Sequence, residues 1–140
     1  MEKHIVNIDV DYLGDLRTKV THEPSGTGFL TDAPLDNLGK AEYISPTDLA
    51  GASIGSCVAT IMGIKARQKE INIEGLHIRV SKEMVNEPYR RIAKLSFVIT
   101  FPRKLKDEDF KLLSNVVKTC PVTRSLHPDI KLDYKFSFKE

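Results

Sequence analysis

Two cysteines, 63 positions apart in a chain of 140 residues, carry the chemistry this sequence offers. A thiolate is a nucleophile and a redox centre, and its reactivity follows its pKa. Cys57 lies in SPTDLAGASIGSCVATIMGIKARQKE, in the middle of an apolar run. A mid-helix thiol gains little from the helix dipole, which acts in the first and last turns. To act as a nucleophile Cys57 therefore needs a nearby cation, and otherwise it reads as a small core hydrophobe. Cys120, in KTCPVTR, precedes a proline suited to the first position of a helix. At that N-terminus free N–H groups would favour its thiolate, with Lys118 and Arg124 close in sequence. Whether the two sulfurs meet is open, because a disulfide needs Cα atoms within about 7 Å. Arg17 is the candidate cation, on a strand where it faces either a helix or water. Asp48 reads first as a helix-capping carboxylate. His4, His22, His77 and His127 are scattered without ligand spacing, and no GxGxxG, phosphate loop or HExxH occurs.

The element that must position Cys57 is a helix over residues 45–70. Ser45 is an N-cap, Pro46 suits the first turn, and Asp48 completes a capping box. From Leu49 to Ile64 nearly every side chain is apolar or small, so the helix is expected to be buried on all sides. Gly51, Gly55, Ala59 and Gly63 recur every four residues, a stripe that would let another backbone approach. The uncharged run is 16 residues and rich in Gly, Ser, Thr and Ala. A membrane span takes about 20 strongly apolar residues, so a buried helix is the expectation.

Around it the chain alternates. Val6, Ile8, Val10 and Tyr12 predict a half-buried first strand; Leu16, Thr18 and Val20 predict a second across a turn at Gly14-Asp15. Gly28 to Thr31 is a short third strand. Leu76, Ile78 and Val80 should pair with Leu95, Phe97, Ile99 and Phe101 in a long hairpin. Phe110, Leu113, Val116 and Val117 predict a second helix ending near Thr119, before Pro121. A short helix from Pro121 to about Leu126 and a strand through Leu132, Tyr134, Phe136 and Phe138 complete the chain. The order predicts one α+β domain over 1–140 with antiparallel sheets around a long central helix. Three short strands cannot cover an apolar helix, so a homodimer is expected.

Hydrophobic content of 41% and charged content of 29% are those of a globular protein. A net charge of +2 argues against nucleic-acid binding, and two cysteines rule out a disulfide-rich scaffold or a four-cysteine zinc site. The segment MEKHIVNIDVDY reads as a charged strand and not as a secretory leader, giving the cytoplasm as the expected location.

SPTDLAGASIGSC followed by TCPVTRSLHP resembles the OsmC/Ohr superfamily of thiol-dependent hydroperoxide reductases, and within it the OsmC-like subgroup with S-P-T-D-L before the first cysteine. SGTGFLTDAPLDNLGK, IMGIKARQK and GLHIRVSKEM extend the likeness over almost the whole chain. The resemblance implies an intertwined homodimer with sites at the subunit interface. It implies a peroxidatic role for Cys57, a resolving role for Cys120 through a Cys57–Cys120 disulfide, and thiolate stabilisation by Arg17. It implies an external dithiol reductant, lipoyl-like in relatives, and no metal, haem or flavin. Neither nucleic acid nor membrane is implied as a partner. The hydroperoxide branch carries a glutamate ten residues before the first cysteine to hold the arginine; here that position is Thr47, with Asp48 beside it. The function so implied is reduction of organic hydroperoxides in oxidative or osmotic stress defence. The alternative is a dimeric ligand-binding or redox-sensing protein that keeps the fold without the enzyme activity.

Overall fold

A computed structural model describes residues 2–139. The chain forms two compact units, Met1–Leu49 and Ala50–Glu140.

The first unit is a three-stranded antiparallel sheet in the order β1-β2-β3, with β1 at Ile8–Gly14, β2 at Arg17–His22 and β3 at Gly28–Asp32. The turn joining β1 to β2 is two residues long, and Leu16 belongs to it rather than to the second strand. Asp15 (φ 53°) and Leu16 (φ 62°) both take the left-handed conformation that a tight hairpin with right-twisted strands demands. Alternation formed β1 as expected, but its apolar side chains are not half-buried. Ile8, Val10 and Tyr12 are 59%, 62% and 67% exposed.

The long helix, α1, runs Pro46–Gln68. Its start is a reciprocal capping box. The Ser45 N–H donates to Asp48 Oδ2 at 3.0 Å, and the Asp48 N–H donates to Ser45 Oγ at 3.1 Å. The expectation of burial on every side is corrected. Gly51, Ile54, Gly55, Val58, Met62 and Ala66 form one buried stripe, while Ala52, Ser53, Ser56, Thr60 and Ile64 stay exposed. By length and composition alone α1 is also long and apolar enough to cross a membrane.

In the second unit the buried stripe of α1 meets a sheet of order β4-β5-β6. β4 is His77–Val85, β5 is Arg91–Phe101 and β6 is Lys131–Phe138. The glycine stripe works differently from the expectation that it admits another backbone. A Cβ at Gly55 would lie 3.0 Å from Val80 Cγ2, and one at Gly51 would lie 3.2 Å from Val80 Cγ1 and Leu95 Cδ2. These glycines therefore admit sheet side chains, whereas a Cβ at Gly63 meets nothing within 4 Å.

β4 and β5 form the expected antiparallel hairpin. β6 pairs with β5 in parallel, so the second sheet is mixed rather than wholly antiparallel. The reason is the connection. Between β5 and β6 lie α2 (Asp107–Asn115), a 3-10 turn at Val116–Thr119 and α3 (Pro121–Arg124). A crossover of that length returns the chain to the end from which it left, which a hairpin turn cannot do. Phe97, Phe101, Leu95 and Ile99 of β5 are fully buried with Ile54, Val58 and Met62 of α1. Burial of each such side chain contributes about 1.5–3 kcal/mol. Phe110 of α2 closes the far end, packed on Phe101, Phe136 and Phe138 with ring centroids 5.3–6.0 Å apart.

Candidate active site

The second unit brings the two cysteines together. Cys57 sits in α1 on the flank of the buried stripe, half-buried beside Val58. Cys120 is fully buried at the N-cap of α3, where Pro121 starts the helix. The 3-10 turn through Thr119 and the extended backbone of Cys120 (φ −61°, ψ 116°) aim this residue inward. Both thiols are free and are hydrogen-bonding neighbours. The arrangement has the parts of a two-electron couple: two thiols in contact can lose two electrons and form a disulfide.

Their environments differ. Burial pushes the Cys57 thiol up, and the adjacent Cys120 sulfur raises it further against the single opposing N–H of Val122. Burial acts to raise Cys120 as well, but the N–H of Thr123, the Cys57 thiol and the N–H of Val122 outweigh it. Cys120 is therefore held below the ordinary thiol range. These N–H groups favour its charge without closing a full cap hydrogen bond. Of the two sulfurs, that of Cys57 is the more accessible.

In the first unit Arg17 is gathered into a cluster of its own. Its Nη2 lies 3.4 Å from Asp32 Oδ2 and 3.4 Å from Glu42 Oε1, and its guanidinium carbon stands 4.8 Å from the Tyr43 ring centroid. Arg17 and Asp32 are direct cross-strand partners on β2 and β3. Asp32 is only 2% exposed, and its carboxylate also accepts the N–H of Ala33 (2.8 Å) and of Glu42 (3.1 Å). The Glu42 N–H is the strongest influence holding this carboxyl below the usual range, ahead of the Ala33 N–H and Arg17, with burial opposing. Arg17 Nε is buried without a hydrogen-bond partner among the described residues. Asp48 is engaged in the cap of α1, and the Thr47 hydroxyl lies 3.2 Å from that of Ser45.

Sequence reasoning missed three participants. Asp32 and Glu42 are the carboxylates beside Arg17. Only the register that pairs Arg17 with Asp32 reveals the first, and the chain reversal through 33–44 returns the second. Tyr134 is the third, its ring stacked on Phe97 and its phenol raised above the usual range by burial first and then by the charge of the two sulfurs. A signal for it was present: it is the one hydroxyl in the row Leu132, Tyr134, Phe136, Phe138. Among the described residues no three His, Cys, Asp or Glu side chains group as a metal site.

A family model described as OsmC-like protein matches residues 39–135. The chain is 44% identical to a protein of Psychrobacter arcticus 273-4 provisionally named for osmotic stress induction and detoxification response. That match covers 96% of this chain and 98% of that one, with a TM-score of 0.89. Two more distant structures share the fold. An OsmC like protein from Mycoplasma pneumoniae is 16% identical over 100% of both chains, with a TM-score of 0.81. The organic hydroperoxide resistance protein OhrB of Bacillus subtilis is 14% identical over 95% of this chain and 98% of that one, with a TM-score of 0.70. Among curated proteins none matches significantly.

Proposed function

The chain belongs to the OsmC-like family, and on that premise we propose that it is a thiol-dependent peroxidase that reduces organic hydroperoxides to alcohols. The observation that carries this reading is the contact between Cys57 and Cys120, residues with no local reason to meet. As thiolate, Cys57 attacks the outer oxygen of the hydroperoxide, leaving an alcohol and a Cys57 sulfenic acid. Cys120 then displaces hydroxide from that sulfenic acid and forms the disulfide, which an external dithiol reduces by exchange. The half-buried Cys57 is the sulfur a peroxide reaches, and the apolar core around it favours an organic substrate over hydrogen peroxide. Arg17 takes the cationic role that the resemblance assigns to it. The cycle draws on no resident metal, haem or flavin. It belongs in the cytoplasm, where thiols are kept reduced.

The working unit is a homodimer. The apolar row Ile8, Val10 and Tyr12 on β1 and the exposed face of α1 are surfaces that a second copy would cover.

Two observations favour the alternative of a ligand-binding or redox-sensing dimer. Thr47 stands where the hydroperoxide branch carries glutamate, and burial pushes Cys57 up rather than down. Peroxide consumption with a dithiol reductant separates the readings, comparing cumene hydroperoxide with hydrogen peroxide in wild type, Cys57→Ser and Cys120→Ser. The expected outcome is turnover that prefers the organic substrate, vanishes in Cys57→Ser and stops at the sulfenic acid in Cys120→Ser. Absence of turnover with several dithiols sinks the enzymatic reading in favour of the binder.

A further inference from the structure

We propose that the cleft between the end of α1 and the start of α2, which neither cysteine lines, binds a small phosphate monoester. The cleft has a volume of about 510 Å³, in the size range of small-molecule sites. One wall is residues 69–72, just past α1; the other is residues 103–106 with Asp109, at the start of α2. Both walls rest on the core of the second unit, where Leu105 is buried and Ile71 packs against it. Four cations line the cleft, Lys69 on one wall and Arg103, Lys104 and Lys106 on the other. Glu70 and Asp109 are the carboxylates of the lining. None of the four cations forms an ion pair among the described residues.

Helix electrostatics account for only one of these cations. The C-terminal end of a helix favours positive charge, so Lys69, following Lys65 and Arg67, has a local reason to be there. The N-terminal end disfavours it, yet Lys106 occupies the N-cap of α2 with no side-chain cap hydrogen bond, and Arg103 and Lys104 stand just before it. Asp107, Glu108 and Asp109 of the first turn already suit that dipole, so the basic run serves something outside the helix. On the facing wall α1 closes with two nested hydrogen bonds. The Ile71 N–H donates to the Ala66 carbonyl at 2.8 Å and the Glu70 N–H to that of Arg67 at 3.2 Å. They occupy carbonyls that would otherwise turn the negative end of the helix on an anion. Glu70 takes a left-handed φ of 56° where glycine is usual, so a carboxylate is kept beside the cleft in place of the residue that fits best. Four positive charges against two negative leave a surplus that a dianion neutralises. A phosphate monoester carries that charge on three acceptor oxygens. The Arg103 guanidinium can hold two of them as a fork, with the lysines as point charges. Glu70 and Asp109 interrupt the basic lining, which disfavours a long polyanion and leaves acceptors for hydroxyl groups on the body of the ester. The ligand class is therefore a small polar phosphate ester, of the sugar-phosphate kind.

The test is titration of the isotope-labelled full chain with ribose 5-phosphate, inorganic phosphate, ribose and succinate, read through backbone amide shifts by NMR. The expected result is saturable shifts centred on residues 69–72 and 103–109 with ribose 5-phosphate. Inorganic phosphate should bind more weakly at the same place, succinate more weakly still, and ribose not at all. The double variant Arg103→Gln/Lys104→Gln changes two exposed side chains and should weaken binding about tenfold or more. Lys131→Gln removes an exposed cation at the opposite end of β5 from Arg103, beyond the reach of screened charge, and should change it less than about twofold. Succinate binding as tightly as ribose 5-phosphate overturns the phosphate assignment, and equal weakening in Lys131→Gln reduces the effect to overall charge. Absence of saturable shifts with both phosphates overturns the site itself. Tighter binding of a single-stranded oligonucleotide, lost in the same double variant, replaces the small ligand with nucleic acid.

Discussion

Cys57 and Cys120 are two copies of one side chain, and their surroundings separate them. Cys57 has one N–H to favour its charge and a second sulfur to oppose it; Cys120 has the start of α3. Removing the neighbour should therefore ease the ionisation of Cys57. In Cys120→Ser a hydroxyl replaces the competing thiolate, so the pH profile of Cys57 alkylation by iodoacetamide moves to lower pH than in wild type. A profile that stays put or moves up would show that burial alone sets the Cys57 pKa. The same variant loses disulfide formation, so it ionises more readily yet turns over less. Asp32 makes a parallel point at the arginine. Thr47 provides no carboxylate, but a cross-strand partner does, and no spacing along the chain announces it.

α1 is the element on which the thiol site depends, and its glycines divide into two kinds. Val is stiff at χ1, so Val80 yields poorly to an added methyl. Gly55→Ala gains about 1 kcal/mol of helix propensity but forces overpacking that costs about 1–3 kcal/mol. The expected net is a loss, seen as a lower midpoint in urea unfolding. Gly63→Ala meets nothing within the chain and should gain up to about 1 kcal/mol. If Gly63→Ala is instead the more damaging, the stripe serves a backbone that approaches from a second copy. The parallel placement of β6 belongs to this scale as well. It follows from the crossover through α2 and α3, and it carries Tyr134 into the row of Phe97.

At the scale of the whole molecule, the first sheet leaves an apolar face on β1 exposed over Ile8, Val10 and Tyr12. Stable proteins rarely leave such a surface uncovered. The expected mass in solution is twice the 15.7 kDa of one chain. Val10→Asp places a charge in the middle of the face and should shift the population toward monomer in sedimentation velocity. A wild-type protein that sediments as a monomer at micromolar concentration removes the dimer from the functional proposal.

Local periodicity was enough to read the order of the elements, the capping box of Ser45 and Asp48, and the break at Cys120-Pro121. Each depends on neighbours within a few residues, where side-chain direction and cap chemistry act directly. The family was legible for the same reason, since its motifs are short and contiguous. Which side of α1 is buried was not legible, because an apolar helix does not encode the position of its sheet. Nor was the direction of β6, which depends on a long connection rather than on the strand's own alternation. The pairing of Arg17 with Asp32, the meeting of Cys57 with Cys120 and the stacking of Tyr134 on Phe97 all join residues distant in sequence. Such contacts are decided by register and crossover, which only the folded chain specifies.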